Sequence, residues 1–178
     1  MTMTSPSLRK AGFAALVLLC SCSPVPPIGQ VAAPAKATAN RAMAVVEEIK
    51  TRGAKAVVDR LASPNSEKEW EEIQKGIQTG QADWLSAARE LRNGSDAGMT
   101  ESIDISLAIA LSNNAEGVLE VAGDTIPADR ICTVPYIEPD ATTVVSHKRK
   151  AKAALERVAR ADLASKRDAC LAAIENTK

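Results

Sequence analysis

Residues 66–94 read SEKEWEEIQKGIQTGQADWLSAARELRNG. Ser66, followed three residues later by Glu69, has the form of a capping box at a helix start. Trp70, Ile73 and Ile77 then fall on one face at helical spacing, and Gly80 predicts the stop. A second helix opens near Asp83, turns Trp84, Leu85, Ala88 and Leu91 inward, and ends at Asn93-Gly94. Amphipathic helices joined by so few residues are expected to lie as antiparallel neighbours over a shared apolar seam. Gly76 and Gly80 match the spacing of a membrane-helix pairing motif, but their polar surroundings empty that match of meaning.

The same period continues on both sides. Towards the N-terminus, Ala42, Val45, Val46, Ile49, Ala56, Val57 and Leu61 predict one helix from Asn40 to Leu61, weakened at Gly53 and ended by Ser63-Pro64-Asn65. Towards the C-terminus, Thr100 is the expected cap of a helix bearing Ile103, Leu107, Ala110 and Leu111, and Asn113 or Asn114 that of a short one bearing Val118 and Leu119. Residues 123–140, with Gly123, Pro127, Pro135 and Pro139, predict an ordered loop burying Ile131, Val134, Tyr136 and Ile137. A long Ala-rich helix is expected from Thr142 to Ile174, with a bend near Ala164-Ser165. The expected fold class is therefore all-α: a small antiparallel helical array with a long C-terminal helix and one disulfide. Composition agrees, because alanine is abundant, β-branched runs are few, and aromatic residues make up 2% of the chain. A β-sandwich or barrel, a doubly wound nucleotide-binding fold and a collagen-like chain are excluded on these grounds.

The first forty residues differ in kind. Arg9 and Lys10 precede an unbroken apolar run, Ala11–Leu19, of the length of a signal-peptide core and too short to span a bilayer. Leu19-Cys20-Ser21-Cys22 resembles the lipobox of bacterial lipoproteins, with Leu19 and Ser21 in the aliphatic and small places and Cys22 as the lipid-bearing cysteine. Cys20 fits less well, since Leu19 would then take the small-residue place. The resemblance implies cleavage after residue 21, acylation of Cys22 and, with Ser23 next, a protein on the periplasmic face of the outer membrane. The alternative is a plain secretory peptide releasing a soluble periplasmic protein. Residues 22–40, rich in Pro and Ala and without period, are expected to form a flexible tether, leaving residues 41–178 as the helical domain.

Beyond the leader only Cys132 and Cys170 remain, and in an oxidising compartment two such cysteines read as one disulfide. Charge is uneven: residues 41–124 carry a net −6 and residues 138–178 a net +3, densest at His147-Lys148-Arg149-Lys150 and Lys152. This run is expected to be a solvated face complementing the acidic helices, or a contact for an acidic partner or phosphate-rich surface. Nucleic acid is an implausible partner for an exported chain with no net charge and few aromatics to stack bases.

A second resemblance rests on Trp84-Leu85, Leu91, Asp96-Ala97, Ala108 to Leu111, Asn114, Val118-Leu119, Cys132-x-x-Pro135-x-x-Glu138 and Cys170-Leu171. Across residues 70–171 the chain is similar to small exported helical proteins of Gram-negative bacteria. The similarity implies the helical fold and the disulfide, and no mechanism.

Chemistry is sparse. The lone His147 is expected to be a solvated surface residue without a catalytic part, and no metal or cofactor ligand set is evident. Glu101-Ser102 resembles the glutamate-serine pair of lytic transglycosylases, without their aromatic groove or downstream glycine-rich segment. Trp70 and Trp84 are expected core anchors, either of which facing outward would make a contact site. These features point to a membrane-anchored, non-enzymatic interaction module for an envelope protein, of inhibitor, immunity or accessory type. A cell-wall-active or lipid-handling enzyme using Glu101, and a structural spacer, are the alternatives. Lys148, Arg149 and Lys150, with the tryptophans, are the candidate contact residues.

Overall fold

The computed structural model describes residues 32–177, with side chains from Ala39 onward. The expected signal peptide, Cys22 and most of the expected tether lie outside them. Among the described residues the fold is all-α: α1 (Ala32–Arg52), α2 (Ala54–Leu61), α3 (Glu67–Gln78), α4 (Ala82–Arg92), α5 (Ala97–Ala110), α6 (Ala115–Val121), α7 (Ala128–Ile131), α8 (Ala141–Glu156) and α9 (Ala164–Asn176). None of the described helices is long and apolar enough to cross a membrane.

The inward faces are those the period selects. Ile73, Ile77, Leu85, Leu91, Ile103, Leu107, Leu111 and Leu119 are fully buried and share one core with Leu61, Ile131 and Leu155. The main pairings skip along the chain, α1 against α4 and α3 against α5, while α8 packs on α9. Trp84 is buried and lies across Gly76, whereas Trp70 is half-buried at the core's edge.

Several boundaries differ from the sequence expectation. Helix α1 begins at Ala32 and so takes in the end of the Pro/Ala-rich stretch. Pro34 stands in its first turn, where a missing N–H costs nothing. Gly53 does not weaken one helix but divides two: its φ of 84° turns the chain from α1 into α2. Ser66 makes no side-chain cap at α3, because its hydroxyl meets Ser63 and Glu69 is drawn away to Arg60 and Arg41. Asp96, not Thr100, caps α5 through Met99 N at 2.9 Å, while Asn114 caps α6 as expected, accepting from Gly117 N at 2.9 Å. The long C-terminal helix is two helices. They part over residues 157–163, where Val158 and Leu163 turn into the core and Arg167 donates to the freed Val158 carbonyl at 3.0 Å.

Charged residues tie the helices together. Arg60 of α2 forms a two-bond pair with Glu48 of α1 (2.9 and 2.8 Å) and reaches Glu69 of α3 at 2.7 Å. The hydrogen bond from Arg60 is the main reason the Glu48 carboxyl lies below its ordinary pKa. Asp104, buried in α5, accepts from Arg92 of α4 at 3.2 Å and from Arg130 of α7 at 3.5 Å. Removing its carboxylate would leave the mostly buried Arg92 guanidinium uncompensated.

Candidate functional site

The segment between α6 and α8 is where the chain departs from simple helix packing. Gly123 and Ile126 close a tight turn, bonded both ways, and Pro127 opens the single-turn α7. Ile126 and Ile131 are buried beneath it. Cys132 then bonds to Cys170 of α9 with a Cα–Cα distance of 5.1 Å, so the expected disulfide is present, buried at both ends. It clamps the start of the following loop to the end of the chain.

Past the disulfide, the loop is held from the other side by His147. Its Nε2–H donates to the Thr133 carbonyl at 3.1 Å, and its ring stands edge-on to Tyr136 with centroids 5.5 Å apart. His147 is thus not the solvated residue the basic run predicts: it is 5% exposed. Its neighbours in sequence are charged, but its position on α8 faces the loop and core. Burial first, and then Lys150 nearby, hold its pKa below the ordinary 6.5, against the opposing pull of the Thr133 carbonyl. A histidine kept neutral in the fold stabilises it above that ordinary value and loses the contribution as pH falls below it. Unfolding midpoints in urea at pH 7 and pH 5 are therefore expected to diverge more in the wild type than in His147→Gln. Equal pH slopes for the two proteins would contradict this.

With Pro135 buried and Tyr136 propped on His147, the next residue is forced outward. Ile137 is 91% exposed, the largest apolar exposure among the described residues, and Val134 and Tyr136 are only partly covered, contrary to the buried cluster expected. Glu138 follows at a φ of 47°, a left-handed conformation rare for a residue with a side chain. Asp140 then caps α8, accepting from Thr143 N at 2.9 Å and Thr143 Oγ1 at 2.8 Å. Those two bonds hold its carboxyl below the ordinary range.

Two depressions flank Tyr136. On one side, a hollow of about 350 Å³ contains Glu101, Asp104, Asp129 and Arg130. Glu101 is exposed there, and Asp104 is taken up by its arginines. On the other side, a cleft of about 510 Å³ runs between the end of α5 and the first half of α8, with His147 and Lys150 in its wall. Among the described residues there is no group of three His, Cys, Asp or Glu placed to hold a metal ion.

The residues singled out in the sequence scatter. Trp84 is in the core; Trp70 borders a depression with Pro64 and Met99 that shares no lining residue with the two at Tyr136. Lys148 serves α9, donating to the Thr177 and Glu175 carbonyls, and Lys152 pairs with Glu175 at 2.7 Å. Arg149 and Lys150 remain exposed on α8. The outstanding residue, Ile137, was expected inside. Its signal was present as Pro135-Tyr-Ile-Glu-Pro139, an aromatic and an aliphatic held between prolines. Compared with protein-family models, with curated proteins and with solved structures, the chain shows no match.

Proposed function

We propose that this chain is a lipid-anchored envelope protein, held by Cys22 on the periplasmic face of the outer membrane, that acts as a non-catalytic module binding a protein partner. The observation that carries the reading is Ile137, presented to solvent by a loop braced on both sides. The Cys132–Cys170 bond and His147, which holds the Thr133 carbonyl, fix one flank, the Asp140 cap fixes the other, and Tyr136 stands beside it. Ordering this loop costs nothing at the moment of binding, which is the advantage of a preorganised anchor. An aliphatic and an aromatic side by side, with charged residues around them, have the make-up of an interface centre with a polar rim. The buried disulfide supports an oxidising compartment, consistent with the leader. A partner of inhibitor, immunity or accessory type fits such a small, rigid projection.

The test is a photo-crosslinking residue placed at position 137 in cells, with one at the exposed Met43 of α1 as control. A discrete adduct at position 137 only, lost when Tyr136→Ala is added, is expected. Ile137→Asp should weaken the recovered complex by at least about thirtyfold, roughly 2 kcal/mol, and leave the unfolding midpoint almost unchanged. Identical adduct patterns at positions 137 and 43 would defeat the proposal. Cys22→Ser should release the protein from the membrane fraction, and retention of that variant would remove the anchor from the account.

A further inference from the structure

Ile137 borders the smaller of the two depressions at Tyr136, the hollow between α5 and α7. Part of that hollow is apolar, lined by Ile105, Val134 and Pro135. Its charges are Glu101, Asp104, Asp129 and Arg130. Asp104 is already spent, one oxygen on Arg92 at 3.2 Å and the other on Arg130 at 3.5 Å. Glu101 and Asp129 are both exposed, and neither has an ion-pair partner among the described residues. Glu138, exposed next to Ile137, has none either. Four carboxylates are thus set against two guanidiniums, a net −2 beside the most exposed apolar side chain described.

The two parts of the lining together select what fits. A wholly apolar partner would strip water from Glu101 and Asp129 and offer nothing in return. An anionic membrane surface would be repelled by them. Nor are Glu101, Asp104 and Asp129 placed to share a metal ion, since no such group of three occurs among the described residues. A long basic side chain answers both parts at once: its methylenes lie on Ile105 and Val134, and its cation meets the two free carboxylates. The hollow, at about 350 Å³, has room for one.

We propose that the partner docks through an arginine or lysine set beside an aliphatic patch. The cation enters the hollow at Glu101 and Asp129 while the patch covers Ile137. This deepens the partner-binding reading and rests on it, by giving the chemistry of the surface that Ile137 meets.

Tyr136 is the only tyrosine in the chain and lines the hollow, so its ring resonances report there without assignment of the rest. The full chain purified in detergent is titrated with capped Leu-Arg-Leu to about 20 mM. The comparison peptide carries citrulline, which keeps the shape of arginine and lacks its charge. The arginine peptide should shift the ring saturably and bind about tenfold more tightly than the citrulline one. Raising salt from about 50 to about 500 mM should remove most of that difference. Glu101→Gln with Asp129→Asn should remove it too, and because both residues are exposed the unfolding midpoint should hardly move. In cells, the adduct at position 137 should fall about tenfold in the same double variant. The proposal is overturned if the arginine peptide leaves the ring unmoved, if citrulline serves as well, or if the double variant keeps the adduct at full yield. In that last case the partner reading stands. An absent adduct with Glu101 and Asp129 intact is the failure of the partner reading instead, and the peptide titrations decide the charge preference without it.

Discussion

Replacing Cys132 and Cys170 together by alanine is expected to lower the unfolding free energy by roughly 3–4 kcal/mol, a value set by the 38-residue separation of the bridged cysteines. Against the 5–15 kcal/mol typical of a whole domain, that is a large share. The bridge restrains the unfolded chain, so the denaturant dependence should steepen as well, because the open chain exposes more surface. Alanine is the right replacement, since both sulfurs are buried and a serine hydroxyl would add an unpaired polar group. For the same reason a mild reductant should act on the wild type only under conditions that already unfold it. The local consequence matters more for the proposed role. Without the bridge, the loop carrying Tyr136 and Ile137 keeps His147 and the Asp140 cap but loses its hold on α9. Crosslinking at position 137 should then fall even at temperatures where the helices persist. A double-alanine variant whose guanidinium unfolding curve overlays that of the wild type would refute the assigned role of the bridge.

How far the chain discloses this arrangement depends on the range of the forces involved. The helical period is local, and it places Ile73, Ile77, Trp84, Leu85 and Leu91 on the inward faces where they are found. The Asn114 cap is also local, since donor and acceptor are three residues apart. The capping box at Ser66 fails because Glu69 has a better use: two arginines from α1 and α2 stand over it, and their charges outweigh one backbone N–H. The break between α8 and α9 contains neither Pro nor Gly. It exists because Val158 and Leu163 gain more from the core than from continuing one helix. His147 is misplaced by its company, for three basic neighbours mask a position one turn before buried Ala151. Ile137 is the opposite case, apolar by type and exposed because everything around it is pinned.

Gly76→Ala separates local from tertiary reasoning most sharply. Glycine within a helix costs about 1 kcal/mol relative to alanine, and Gly76 lies inside α3, so helix propensity alone predicts stabilisation. Packing predicts the reverse. A methyl group at Gly76 would lie inside contact distance of the indole ring of Trp84, 2.7 Å from Cζ2. That ring is 2% exposed and has no flexible end to swing aside. Overpacking of this kind costs about 1–3 kcal/mol, enough to exceed the propensity gain and reverse the sign. The expected result is a net loss of up to about 2 kcal/mol in stability, with Trp84 emission shifting to the red as the ring is driven outward. Gly98→Ala is the control, for its methyl would meet nothing nearer than Asp96 Oδ1 at 3.9 Å, and it should be neutral or mildly stabilising. Trp84→Leu supplies the decisive step. Alone it opens a cavity and destabilises, but combined with Gly76→Ala it makes room for the added methyl, so the pair should cost less than the two changes summed. Additive losses in that cycle, or a Gly76→Ala protein more stable than the wild type, would show that Trp84 does not rest on this glycine and that the α3–α4 seam is packed some other way.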